Sequence, residues 1–66
     1  MKKIKVTKDE LFSYSSGIDM IIELNEKAKE QGFSLENRIN MFTGLDDYLS
    51  DKGSVFIEIR DMLEIV

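Results

Sequence analysis

Ser13, Ser15 and Ser16 crowd one short stretch, Ser-Tyr-Ser-Ser-Gly-Ile-Asp at 13–19, and hydroxyls so placed could serve as a nucleophile or cradle an anion. A serine hydroxyl attacks only when a base takes its proton. The chain has no histidine and no cysteine, which removes the commonest general base, the commonest metal ligand and the thiol nucleophile. None of the three serines has glycines two positions before and two after it, as a nucleophile elbow needs. An anion could meet outward-pointing N–H groups near Gly17, but the phosphate-loop pattern is absent and Asp19 would repel a phosphate. The plainer reading is a joint: serine hydroxyls compete for backbone groups and glycine weakens a helix interior.

The acidic residues Asp46, Asp47 and Asp51 form the second candidate. A calcium loop needs oxygen ligands at alternate positions around a central glycine, and this spacing lacks that arrangement. A carboxylate pair for glycoside hydrolysis needs a cleft between its members, which 66 residues scarcely enclose. No catalytic residue, metal site or cofactor is therefore expected. What remains is an acidic docking surface of Asp46, Asp47, Tyr48 and Asp51, suited to a partner protein with a basic surface.

These residues must be positioned by one small domain, 1–66. A chain of this length buries only about 60% of the surface that its unfolded form exposes. Lys3-Ile-Lys-Val-Thr7 alternates, with Ile4 and Val6 to one side, and predicts a short strand. Thr7 and Glu10 form a capping box, and Val6 with Leu11 a hydrophobic staple, so a helix starts at Lys8. Ser16 followed by Asp19 signals a second N-cap after a break near 15–17. From there a helix is expected over 17–31, closed by Gly32. Ser34 caps a further helix over 35–52, ended by Gly53, with Leu35, Ile39, Phe42, Leu45 and Leu49 at helical spacing and Gly44 inside it. The short linker predicts that the two long helices pack as an antiparallel hairpin.

Residues 55–59 read two ways. As a strand, Val55, Ile57 and Ile59 share a face; as a helix, Phe56, Ile59, Leu63 and Val66 do. Branched side chains favour the strand, and a lone N-terminal strand needs a partner. The expected fold is thus mainly α (α+β): a helical hairpin with a kinked first helix, closed by a two-stranded antiparallel ribbon of 3–7 and 55–59. The alternative is an all-helical C-terminus, with the N-terminal strand pairing across a homodimer.

Charge divides along the chain. Residues 1–8 hold four lysines and no acid, whereas the rest hold five basic and thirteen acidic side chains, for a net −4 overall. Such a balance opposes general affinity for nucleic acid. Without cysteine, and without an apolar run of about 18 residues, the chain reads as cytoplasmic and not membrane-spanning.

Lys3-Ile-Lys-Val-Thr7, followed by Lys-Ala-Lys-Glu-Gln-Gly-Phe-Ser-Leu-Glu-Asn-Arg-Ile-Asn-Met-Phe at 27–42, resembles the order of the ribbon-helix-helix repressors: strand, helix, glycine-containing turn, second helix. The resemblance implies a dimer whose paired strands enter the DNA major groove. It would make Lys3, Lys5 and Thr7 the DNA-facing residues and set Ser34 near a phosphate. That is the second functional expectation. The first is a small acidic protein-binding module that regulates or inhibits a partner by occupying its surface, as small accessory or phage-type proteins do. In either case the exposed rims are expected to hold Tyr14 and Tyr48, because a buried phenol needs a hydrogen-bond partner.

Overall fold

The computed structural model describes residues 2–66. A strand β1 (Ile4–Val6) leads into helices α1 (Lys8–Ser13), α2 (Gly17–Glu30) and α3 (Leu35–Phe42). A 3-10 turn (Leu45–Tyr48), helix α4 (Lys52–Ile59), a second 3-10 turn (Arg60–Met62) and strand β2 (Leu63–Ile65) complete the chain. Each helix starts where a side-chain oxygen satisfies an orphan backbone donor. Thr7 accepts from the Glu10 N–H, Ser16 from Asp19, Ser34 from Asn37 and Asp51 from Gly53.

The core gathers on α2. Met20, Leu24 and Ala28 recur every four residues and so share one face; all three are buried. They join one cluster with Ile4, Val6 and Leu63 from the strands, Leu45 from the first 3-10 turn, and Val55 and Ile59 from α4. Tyr14 belongs to the same cluster, which corrects its expected place at the rim; Tyr48 is half-buried.

The strands are parallel. Ile4 lies opposite Leu63, Lys5 opposite Glu64 and Val6 opposite Ile65. This corrects the antiparallel ribbon of 3–7 and 55–59. The cause lies in residues 51–59. Both carboxylate oxygens of Asp51 are engaged at the start of α4, by the Gly53 N–H at 3.0 Å and the Ser54 hydroxyl at 2.6 Å. Residues 52–59 therefore wind into a helix, with Val55 and Ile59 inward and Ile57 59% exposed. The pairing strand is displaced to 63–65, and the extra helix reverses the chain once more than a direct return would. Parallel strands require such a long crossover, and here the whole helical body supplies it.

The helix expected over 35–52 is also corrected. Gly44 has φ +86°, a left-handed backbone that glycine adopts at little cost and that cannot continue a right-handed helix. α3 ends before it, and the expected two-helix hairpin becomes α2 with α3 on one side and α4 on another.

The alternative, an all-helical C-terminus with β1 pairing across a dimer, is corrected by β2, which ends the helical part and pairs with β1, and by Gln31. Its side-chain amide accepts from the Lys5 N–H at 2.9 Å and donates to the Lys5 carbonyl at 2.9 Å. Alternate residues of a strand point their backbone groups to opposite sides. Hence β2 occupies one edge of β1, and Gln31 closes the other.

Candidate functional site

The stretch 13–19 is occupied with holding α1 to α2. Ser13 Oγ donates to the Glu10 carbonyl at 2.7 Å. Ser16 Oγ accepts from the Asp19 N–H at 3.2 Å, and Asp19 Oδ2 accepts from the Ser15 N–H at 3.0 Å. Gly17 is buried for a spatial reason. A Cβ there would meet the Tyr48 carbonyl oxygen at 2.3 Å and that of Leu49 at 2.9 Å. The neighbouring Ile18 N–H donates to the Leu49 carbonyl at 2.7 Å. The glycine thus lets the start of α2 dock backbone-to-backbone on residues 48–49. Tyr14 caps α1 with its ring buried; burial lifts its phenol above the usual value, and the charges of Glu10, Glu23 and Asp19 push the same way.

The four residues of the expected acidic surface follow the break at Gly44: Asp46, Asp47 and Tyr48 lie on the first 3-10 turn, and the Asp51 N–H donates to the Tyr48 carbonyl at 2.9 Å. Asp46 and Asp47 are exposed on the first 3-10 turn. Asp51 is spent on capping α4, and its hydrogen bonds from Ser54, then Gly53, hold its carboxyl below the ordinary range. Tyr48 directs its hydroxyl to Glu58 Oε1 at 3.5 Å. Among the described residues, no group of three or more metal-ligating side chains comes together, and no helix is long and apolar enough to cross a membrane.

The residues expected to face DNA fare differently from one another. Lys3 and Lys5 are exposed, but Lys5 stands in register with Glu64. The Thr7 hydroxyl is engaged with Glu10, accepting from its N–H at 3.1 Å and donating to its carboxylate at 3.3 Å. Glu10 is in turn held by Lys27 at 2.6 Å, which lowers its carboxyl below the ordinary range. Ser34 caps α3.

The surface that sequence reasoning missed lies between α1, α4 and β2. Leu11 and Met20 line a groove of about 430 Å³ together with Phe12, Phe56 and Ile65. Phe12 is 78% exposed, an unusual state for a large aromatic side chain. Lys8 and Lys52 flank this apolar surface. Among the described residues, neither has a carboxylate within salt-bridge distance; the ion pair present is Lys27–Glu10. Lys52 Nζ instead approaches the Phe12 carbonyl at 3.5 Å, tying α4 to the end of α1. Two unneutralised ammonium groups beside an apolar groove stand out in a chain of net charge −4. The signal available in the sequence was Phe12 itself: it follows Leu11 directly, and adjacent residues of a helix do not share a face.

Comparison with protein-family models, with curated proteins and with solved structures finds no match.

Proposed function

We propose that this chain is a small protein-binding module that regulates or inhibits its partner by occupying that partner's surface, with the groove between α1, α4 and β2 as the contact site. The observation that carries the reading is the exposure of Phe12 beside Phe56 and Ile65. Interface affinity concentrates in a few buried aromatic or apolar anchors, whereas rim charges chiefly set encounter rate and orientation. An apolar floor with Lys8 and Lys52 at its rim suits a segment that presents an apolar side chain flanked by aspartate or glutamate. The exposed acidic turn of Asp46 and Asp47 lacks such a floor, which is why the groove takes precedence over the acidic surface as the anchor. Lacking cysteine, the chain suits a reducing compartment, and the cytoplasm is the setting we propose.

Selection from a random peptide library tests the reading. The intact chain is the bait, and the Phe12→Glu variant serves for counter-selection. The expected result is a family of peptides with one or two large apolar residues next to acidic ones, each losing binding to Phe12→Glu and weakening as salt is added. Enrichment of basic peptides that bind Phe12→Glu equally well would transfer the function to Asp46 and Asp47.

A further inference from the structure

The helix α3 contributes no buried residue to its own chain. Leu35 is 63% exposed, and Ile39, one turn on, is 56% exposed. Ile18 and Ile22, also one turn apart, are exposed on α2, and Ile22 faces the same groove as Leu35 and Ile39. An eight-residue helix is about 12 Å long and too short to persist on its own hydrogen bonds; such helices draw their stability from packing an apolar face. That face is uncovered here.

Its charged groups indicate what covers it. Arg38 Nη1 donates to Asn25 Oδ1 at 3.2 Å, but Arg38 Nε is buried without an acceptor. Glu26 lines the same groove and has no ion-pair partner among the described residues. One face therefore carries an apolar ridge with a cation, Arg38, and an anion, Glu26, beside it. A surface complementary to itself in this way meets its match in a two-fold copy, where each contact occurs twice.

We infer that two copies of this chain associate through the face of α2 and α3, with Ile22, Leu35 and Ile39 packed across the axis and Arg38 of each copy set against Glu26 of the other. Oligomerisation is also a common route to stability for chains of this size. The face is small beside the roughly 800 Å² per partner of a standard stable interface, so the dimer is weak, with dissociation in the micromolar range. It shares no residue with the groove proposed for a foreign partner, so the two can fail separately.

Sedimentation equilibrium of the intact chain between about 5 and about 500 μM spans the expected midpoint. The mass should rise from monomer to dimer across that range. Ile39→Asp, an exposed site whose change leaves the core alone, should stay monomeric while keeping the helical circular dichroism of the parent. Arg38→Glu and Glu26→Arg should each weaken association about tenfold or more, by setting like charges together. The double exchange, Glu26→Arg with Arg38→Glu, should restore it. A monomer at every concentration overturns the inference. So does an Ile39→Asp variant that dimerises like the parent, or a double exchange no better than either single one. Should Ile39→Asp unfold, the charge exchange alone decides.

Discussion

The stretch 13–19 and the groove beside α1 reverse the roles that their residue types suggest. Clustered hydroxyls next to a glycine look reactive, yet those of Ser13 and Ser16 are committed to backbone and capping bonds, the Ser15 N–H is held by Asp19, and Gly17 is pressed against the carbonyls of Tyr48 and Leu49. Phe12 looks like core, yet it stands largely in solvent above an apolar floor. In so small a chain, polar side chains near helix ends are needed to satisfy the backbone, and the apolar content exceeds what one core can take. The chemistry-bearing types thus become architecture, and the surplus apolar residues become surface.

Substitutions in the two regions should separate stability from binding, and the largest effect belongs to the joint. Gly17→Ala places a methyl group where a backbone oxygen stands at 2.3 Å. Neither α2 nor residues 48–49 can yield by a rotamer change, so the chain should lose about 3 kcal/mol. Folded domains of this size hold only a few kcal/mol in total, and urea denaturation should find most of the variant unfolded in dilute buffer. Ser16→Ala removes a cap and leaves the Asp19 N–H to water, at a cost of about 1 kcal/mol. It should lower the urea midpoint with the slope unchanged.

The pH dependence is smaller. Glu10 and Asp51 both have carboxyls held below their ordinary range in the folded chain, Glu10 chiefly by Lys27 and Asp51 chiefly by Ser54. Groups depressed on folding add stability above their unfolded values and lose it as pH falls through the folded ones. A thermal melt series should therefore be flat near neutrality and decline below about pH 4. The Glu10 share is less than about 1 kcal/mol because the pair is solvent-screened, and Lys27→Met should remove it. Tyr14 acts at the other end: its phenol is raised by burial, so stability should fall as pH climbs past about 10, where the unfolded phenol ionises first. Smallest of all is Phe12→Ala, which should change stability by no more than about 0.5 kcal/mol, while removing the proposed anchor. A loss of several kcal/mol there would mean that Phe12 is core after all and would erase the contrast with the joint.

What the sequence made legible was local. Thr7, Ser16 and Ser34 mark helix starts because capping needs only an oxygen and a donor three residues on. β1 is legible because Ile4 and Val6 alternate with lysines. The global path was not. Leu35, Ile39, Phe42, Leu45 and Leu49 keep helical spacing across Gly44, because a 3-10 turn with its three-residue period imitates one turn of α-helix. Only the positive φ of Gly44 shows the break. Val55 and Ile59 fit a strand at even spacing and a helix at i,i+4 alike, and the deciding group is the carboxylate of Asp51, which engages Gly53 and Ser54. Strand direction follows from that choice. The clamp of Gln31 on Lys5 joins residues 26 apart, and no local pattern announces it. For the same reason Asp47 and Asp51 lie in a 3-10 turn and at the N-cap of α4, not on one unbroken helix.

The central claim is that the chain acts through the groove of Phe12, Phe56 and Ile65. Its most direct test is an amide NMR titration of the intact chain with a peptide selected against it. Resonances of Phe12, Lys52, Phe56 and Ile65 should shift and saturate together, while those of Ser13–Asp19 and Asp46–Asp47 stay in place. Shifts centred on Asp46 and Asp47, with the groove unmoved, would contradict the account.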